Sequence, residues 1–302
     1  MCNEQADMVS IPLSSDAFAP VAAPERPIPR RASWTRHGLK VALRTGGITL
    51  AVGGAAYLLA PAAAPVITIA AATAALAFEL TRVGATLSRA LEEISADIAQ
   101  TQPLMALARE LPTRRPLPPM TGYAIAPDFA LMLAQMIADE RPELVVETGS
   151  GVSTLVAAYA LQKLGRGKVV ALEHDRAYAN QTRALIALHG LSAYAMVIDA
   201  PIEPIDLGGK TYRWYATRAL EGLGPIDLVV DDGPPRYVGD MLRYASLPVL
   251  SKLLAPRGTF VLDVVGDEER VVLERWRREF PVFAQEHLAT RKGNVILRRS
   301  VR

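Results

Sequence analysis

The chain has 302 residues, enough for one large domain or two small ones, and its 33 Lys+Arg against 31 Asp+Glu leave a net charge of +2. Half of it is hydrophobic, and this balance carries no global signature of nucleic-acid binding. The single cysteine, Cys2, excludes an internal disulfide framework and a cysteine-based zinc site, and the four histidines are scattered without metal-ligand spacing.

Residues 1–38 read as a disordered basic tail, because prolines recur and no apolar period persists. Arg26, Arg30, Arg31, Arg36, Lys40 and Arg44 form a basic run with no acid among them. Residues 45–78 then carry no charge, a stretch longer than the ~20 residues that span a bilayer. Pro61 and Pro65 divide it, so residues 39–79 are expected to form a transmembrane helical hairpin around the PAAAP turn. The positive-inside rule keeps the basic run cytoplasmic, and a hairpin returns the rest of the chain to that side of a bacterial inner membrane. A single span, a re-entrant insertion and a buried core hairpin are the alternatives. Residues 80–119 read as an amphipathic helix followed by a stiff linker with Pro112, Pro116, Pro118 and Pro119. The helix stripe of Leu80, Val83, Leu87, Leu91, Ile94 and Ile98 either packs on its own domain or pairs two copies through residues 80–100.

The globular part is expected at 120–302. Strands at Leu144–Glu147, Val169–Asp175, AMVIDA, Ile226–Asp232 and TFVLDVV alternate with helical stretches, and two strands close the chain. The fold class is therefore α/β: a Rossmann-like, doubly wound, mostly parallel seven-stranded sheet with a C-terminal antiparallel hairpin, preceded by the helical membrane segment. The segment with Tyr212, Trp214 and Tyr215 reads as a loop after the third strand.

The stretch LVVETGSGVST organises this part. A buried strand runs into Glu147, then into a Gly149-Ser150-Gly151 turn and a helix that starts near Val152, Ser153 and Thr154. Glycines there permit positive φ and close approach of a ligand to the backbone. Glu147, Glu173 and Asp199 close three successive strands, which places them along one edge of the sheet. An acid about 20 residues past a glycine turn suits a ribose, as Glu173 does, so the ligand is read as a nucleoside. An acid in the first turn, Glu147, repels a pyrophosphate and tolerates an amino-bearing group, which favours S-adenosylmethionine over a dinucleotide. The absence of a third glycine at Ser153 and Thr154 points the same way.

With ETGSGVST, LEHD, IDLVVDDGPP and the terminal strand pair on view, residues 120–302 resemble a class I S-adenosylmethionine-dependent methyltransferase, of the bacterial group with an E-x-G-S-G-x-S-T first motif. The resemblance covers about three fifths of the chain. It implies that the Gly149–Gly151 turn passes the methionine moiety, that Glu173 binds the ribose, and that Asp199 and Ala200 lie near the adenine. Glu147, Ser150, Ser153, Thr154, His174 and Asp232 complete the expected cofactor set. Some similar O-methyltransferases hold a divalent metal. Here Asp232 and Asp263 could fill two ligand positions, but Val264 stands at the third, so no functional metal is expected.

Asp232, at the end of the fourth strand, is the expected catalytic residue, accepting or orienting the proton of an acceptor hydroxyl. His174 and His287 are alternative bases, each with a structural reading beside it. Trp214, Tyr215 and Arg236, with Tyr212 and Tyr237, are expected to line the acceptor pocket or to pack as ordinary loop residues. The acceptor is read as a small molecule or a lipid-linked or glycan group, and the activity as O-methylation at a membrane. The competing readings are an NAD-dependent oxidoreductase on a similar sheet and a non-catalytic membrane adaptor.

Overall fold

The structure, a computed structural model, describes residues 47–263 and 266–300. The chain divides into two units, 1–91 and 92–302. The expected disordered tail and its basic run lie outside the described residues, as does the start of the expected hairpin at 39–46.

In the first unit a short apolar helix, α1 (Gly47–Leu59), is followed by a turn over residues 60–63 and by α2 (Ala64–Ala99). Gly53 lets the two helices approach, because a Cβ there would lie 2.8 Å from the Thr68 hydroxyl. At ~1.5 Å per residue α1 is about 20 Å long, short of the ~30 Å hydrocarbon core. Among the described residues, Ala64–Glu110 is the one helical stretch long and apolar enough to cross a bilayer. α2 runs unbroken through position 79/80, where the sequence reading set a domain boundary. Pro65 sits in its first turn, where a proline removes only an N–H that has no helical partner. The stripe Leu80, Val83, Leu87, Leu91, Ile94 and Ile98 is exposed.

The second unit is built on seven strands in the order β3-β2-β1-β6-β7-β9-β8. It opens with α3 (Thr101–Glu110) and α4 (Pro127–Glu140). β1 (Leu144–Thr148), α5 (Val152–Leu164), β2 (Lys168–Glu173), α6 (Arg176–His189) and β3 (Ala195–Asp199) form the first half. β4 (Ile202–Leu207) and β5 (Lys210–Tyr215) pair antiparallel as a separate hairpin. The second half holds β6 (Ile226–Asp231), α7 (Ser246–Leu250), β7 (Leu254–Asp263), α8 (Asp267–Glu279), β8 (Phe283–His287) and β9 (Asn294–Arg299). β1 pairs parallel with β2 and β6, and β6 with β7, whereas β9 enters antiparallel between β7 and β8. Both faces are covered, so the central strands are continuous apolar runs: Val145, Val146, Leu228 and Val229 are fully buried.

The stiff proline-rich segment at 112–119 follows the buried Leu111; its Leu117 packs against the core, and the Arg114 backbone N–H donates to the Tyr159 hydroxyl at 3.0 Å. One expectation is corrected. Tyr212, Trp214 and Tyr215 lie on β5, not in a loop. Aromatic residues alternate with polar ones along Lys210–Tyr215, a strand pattern that a Gly208-Gly209 turn joins to β4.

Candidate functional site

The site grows from the carboxyl ends of β1, β2 and β6, which the parallel order sets side by side. The turn after β1 has Gly149 at φ +92° and Gly151 at φ +153°. A Cβ on Gly149 would meet the Asp232 carbonyl at 3.7 Å, whereas one on Gly151 would project into open space. On the far side of the turn, a Cβ on Gly233 would lie 2.7 Å from the Tyr215 hydroxyl and 3.1 Å from the Gly149 nitrogen. Backbone thus forms the floor of the crevice, and side chains at these glycines would fill it.

Glu147, one residue before the end of β1, faces α5. Its Oε2 accepts a 2.5 Å hydrogen bond from Thr154 Oγ1, which itself accepts from the Gly151 backbone N–H at 3.0 Å. The other oxygen, Oε1, has no partner. Burial is the main reason that its pKa is raised from 4.5 to about 7, with the nearby Glu173 adding to the shift and the Ser153 and Thr154 hydroxyls opposing it. Glu173 is locked differently. It accepts from Ser150 Oγ and from the Asp175 backbone N–H, both at 3.0 Å, and Ser150 also meets Thr182 at 3.1 Å. Asp175 then caps α6 by accepting from the Ala177 N–H at 2.7 Å. His174 Nδ1 lies 2.9 Å from Glu173 Oε1 without the alignment of a hydrogen bond.

Across the crevice stands a cluster of buried charge. Asp231 is fully buried and accepts from Thr148 Oγ1 at 2.6 Å and from Ser246 Oγ at 2.9 Å; burial is the main cause of its pKa rising from 3.8 to about 6. Asp232 points the opposite way along the strand, into the crevice. Burial, then the charge of Asp263, holds its carboxyl well above the usual range, against Arg243 and Lys292. Arg243 is buried, donates to the Asp263 carbonyl at 2.6 Å, and lies 3.9 Å from both Asp232 and Glu269. Asp263 accepts from Asn294 Nδ2 at 2.9 Å and sits 3.5 Å from Lys292 Nζ.

The crevice, about 300 Å³, brings together Gly149, Ser150, Glu173, His174, Tyr215, Asp232 and Arg236 of the sequence-expected residues. Others lie elsewhere. Trp214 is not an acceptor wall: its indole is fully buried and donates to Ser246 Oγ at 3.1 Å. Strand alternation turns it inward and leaves Tyr215 at the crevice, with the Tyr215 hydroxyl unpartnered. Tyr212 stacks under Arg275, and His287 sits on β8, the edge strand. Asp199 ends β3 as expected, but its carboxylate is bound by Arg183 at 2.5 Å, while Ala200 is buried. Ser153 is buried beneath the turn. Tyr123, Tyr178, Tyr237, Arg243, Glu269 and Lys292 also line the crevice, and the sequence reading missed all but Tyr237. The acids of EERVVLERW look like a solvated helix start, and nothing in one-dimensional spacing turns Glu269 inward.

Among the described residues no group of three or more His, Cys, Asp or Glu is placed to hold a metal ion, and the Lys292 ammonium already lies on Asp263. Unpartnered buried atoms of Glu147, His174, Tyr215, Arg243 and Glu269 gather on and beneath this one crevice, which is where ligand contacts would satisfy them.

Residues 146–264, from within β1 to just past β7, match the family model described as a methyltransferase domain. No curated protein matches the chain. Among solved structures, the chain is similar to an S-adenosylhomocysteine-bound methyltransferase from Podospora anserina, at 18% identity and a TM-score of 0.49 over 69% of this chain and 97% of that one. It is similar to an O-methyltransferase from Bacillus cereus in complex with S-adenosylhomocysteine, at 17% identity and 0.46 over 68% and 91%. A third is described as a putative O-methyltransferase from Klebsiella pneumoniae, at 17% identity and 0.45 over 67% and 90%.

Proposed function

We propose that this chain is an S-adenosylmethionine-dependent methyltransferase that methylates an oxygen of its acceptor. One observation carries the reading: the domain match at 146–264 coincides with a glycine-floored crevice whose two strand-end acids are positioned differently. Glu173, fixed by Ser150 and Asp175, is set to accept two ribose hydroxyls. Glu147, with one free oxygen beside the turn, is set to accept from an amino group. The sheet also departs from the 3-2-1-4-5-6 order of dinucleotide folds, because antiparallel β9 is inserted between β7 and β8; this weighs against the NAD reading.

When bound, S-adenosylmethionine supplies a methyl group activated by a sulfonium leaving group. What this chain adds is alignment, exclusion of water and management of one proton. Asp232 faces the crevice and binds its proton tightly once ionised, so it can accept the proton of an acceptor hydroxyl. Arg243, 3.9 Å away, favours the ionised form and limits how far burial raises the group. No step needs a metal, and Asp263 serves to orient Asn294 and Lys292.

Calorimetric titration of the detergent-solubilised chain with S-adenosylhomocysteine, with NAD⁺ as control, tests the cofactor. Micromolar binding to the first alone is expected; binding to NAD⁺ alone would return the oxidoreductase reading.

Membrane attachment through α1 and α2 is the second part of the proposal, supported by the exposed apolar surface of Val66, Ile69, Leu76 and Phe78 on a stretch long enough to cross a bilayer. The acceptor is then lipid-linked or a small molecule met at the bilayer surface, and the domain faces the cytoplasm, where the methyl donor is made. Carbonate extraction of native membranes should leave the chain in the pellet; its release would remove this part alone. Pairing of two copies through residues 80–100 rests on the exposed stripe of α2, and cross-linking within membranes reads it.

A further inference from the structure

Glu269 is 1% exposed, lines the crevice, and neither of its carboxylate oxygens has a hydrogen-bond partner. A buried carboxylate in this state is unfavourable, and no helix cap or backbone turn uses it. Arg243 Nε, 3.9 Å from Glu269 Oε1, is also buried without a partner. The pair is too far apart for a direct bond and close enough that one oxygen atom can stand about 2.8 Å from both.

The chemistry of that atom is constrained. It must accept from the Arg243 N–H and donate to the Glu269 carboxylate, which a hydroxyl does and which neither an ammonium nor a carboxylate can. An ammonium would stand against the guanidinium, and an anion against Glu269. Tyr123, Tyr178, Tyr215 and Tyr237 line the same crevice.

We propose that Glu269 and Arg243 form the acceptor-recognition subsite of the crevice and that it takes a neutral hydroxyl group of the acceptor, separate from the hydroxyl whose proton Asp232 accepts. The proposal rests on the methyltransferase reading for its biological meaning, but its chemistry can be read separately.

The test uses the full-length chain in detergent micelles. Calorimetry with S-adenosylhomocysteine comes first, and its failure sinks the methyltransferase reading by itself. Ligand-observed NMR then measures benzyl alcohol, benzylamine and benzoate, three probes with one ring and different heads, with and without S-adenosylhomocysteine. The alcohol should bind at least tenfold more tightly than either charged probe. Glu269→Gln should hold S-adenosylhomocysteine within twofold of the parent and reverse the order, benzoate now binding at least as well as the alcohol, because Arg243 has lost its opposing charge. Its melting temperature should stay within a few degrees of the parent's, since neither carboxylate oxygen makes a hydrogen bond that the change would break. Glu269→Met, of similar length, gives the same readout without an amide that could substitute for the acid. Equal binding of the three probes, no binding of the alcohol, an unchanged order in both variants, or a fall of many degrees in melting temperature with unchanged order would each overturn the proposal.

Discussion

The two halves of the crevice are built on opposite principles. On the β1–β2 side, Glu173, Ser150, Thr182 and Asp175 satisfy one another, so the acid is held in place before any ligand arrives. On the β6–β7 side, Arg243 stands 3.9 Å from each of Asp232 and Glu269, and atoms of Arg243 and Glu269 are left unpaired. A satisfied network fixes a shape and suits recognition of an invariant group such as a ribose. An unsatisfied one stores unfavourable electrostatics that a ligand or a reacting proton can relieve. Cofactor binding should therefore fail sharply when the first half is cut, while changes to the second half should move rates and pH profiles.

The largest effect is expected from Glu173→Ala. Two charge-assisted hydrogen bonds at roughly 2 kcal/mol each predict a loss of about a hundredfold or more in S-adenosylhomocysteine affinity. Calorimetry at one salt concentration reads it, and unchanged affinity would break the comparison at its first half.

Asp232→Asn follows. Turnover should fall about a hundredfold or more while S-adenosylhomocysteine affinity stays within a few fold, since general-base catalysis contributes roughly 10²–10⁴. In the parent, turnover should rise with pH as the raised Asp232 carboxyl ionises, and the variant should lose that rise. A variant with parental turnover would remove Asp232 from the chemistry.

The next effect is one of stability and its sign. Glu147 binds a proton more tightly folded, at about 7, than unfolded, at 4.5. Its favourable contribution is therefore complete below pH 4.5 and is lost as pH rises to about 7, a change on the order of 3 kcal/mol. Relative to the parent, Glu147→Gln should gain melting temperature between pH 5 and pH 8. A gap that stays constant with pH would show that Glu147 is not strained by burial. Affinity for S-adenosylhomocysteine should also rise over this range in the parent, because an amino group favours the ionised acid.

The smallest effect is expected at Trp214→Phe. The lost bond to Ser246 and the smaller ring should cost about 1–3 kcal/mol of stability with little change in acceptor KM. A selective rise in KM would return Trp214 to the acceptor pocket.

The local order of residues determined a good deal here. The alternation of apolar strands and helices, the Gly149–Gly151 turn and the acids at strand ends are short-range patterns, and they carried the seven-stranded class and the positions of Glu147 and Glu173, because backbone conformation and strand termini are set by neighbours in the chain. The charge-free run at 45–78 was equally plain, since bilayer compatibility depends on composition and length. Tertiary structure alone decided the rest. Packing of Leu117, with the Arg114 N–H bond to Tyr159, tied a proline-rich stretch to the core. Pairing of β4 with β5 sent Trp214 inward and Tyr215 to the crevice. Packing of α8 against the turn at Leu242–Ala245 brought Glu269 beside Arg243, 26 positions earlier in the chain. Such long-range encounters leave no period in the sequence, because what selects them is the filling of space and the pairing of charge between distant segments.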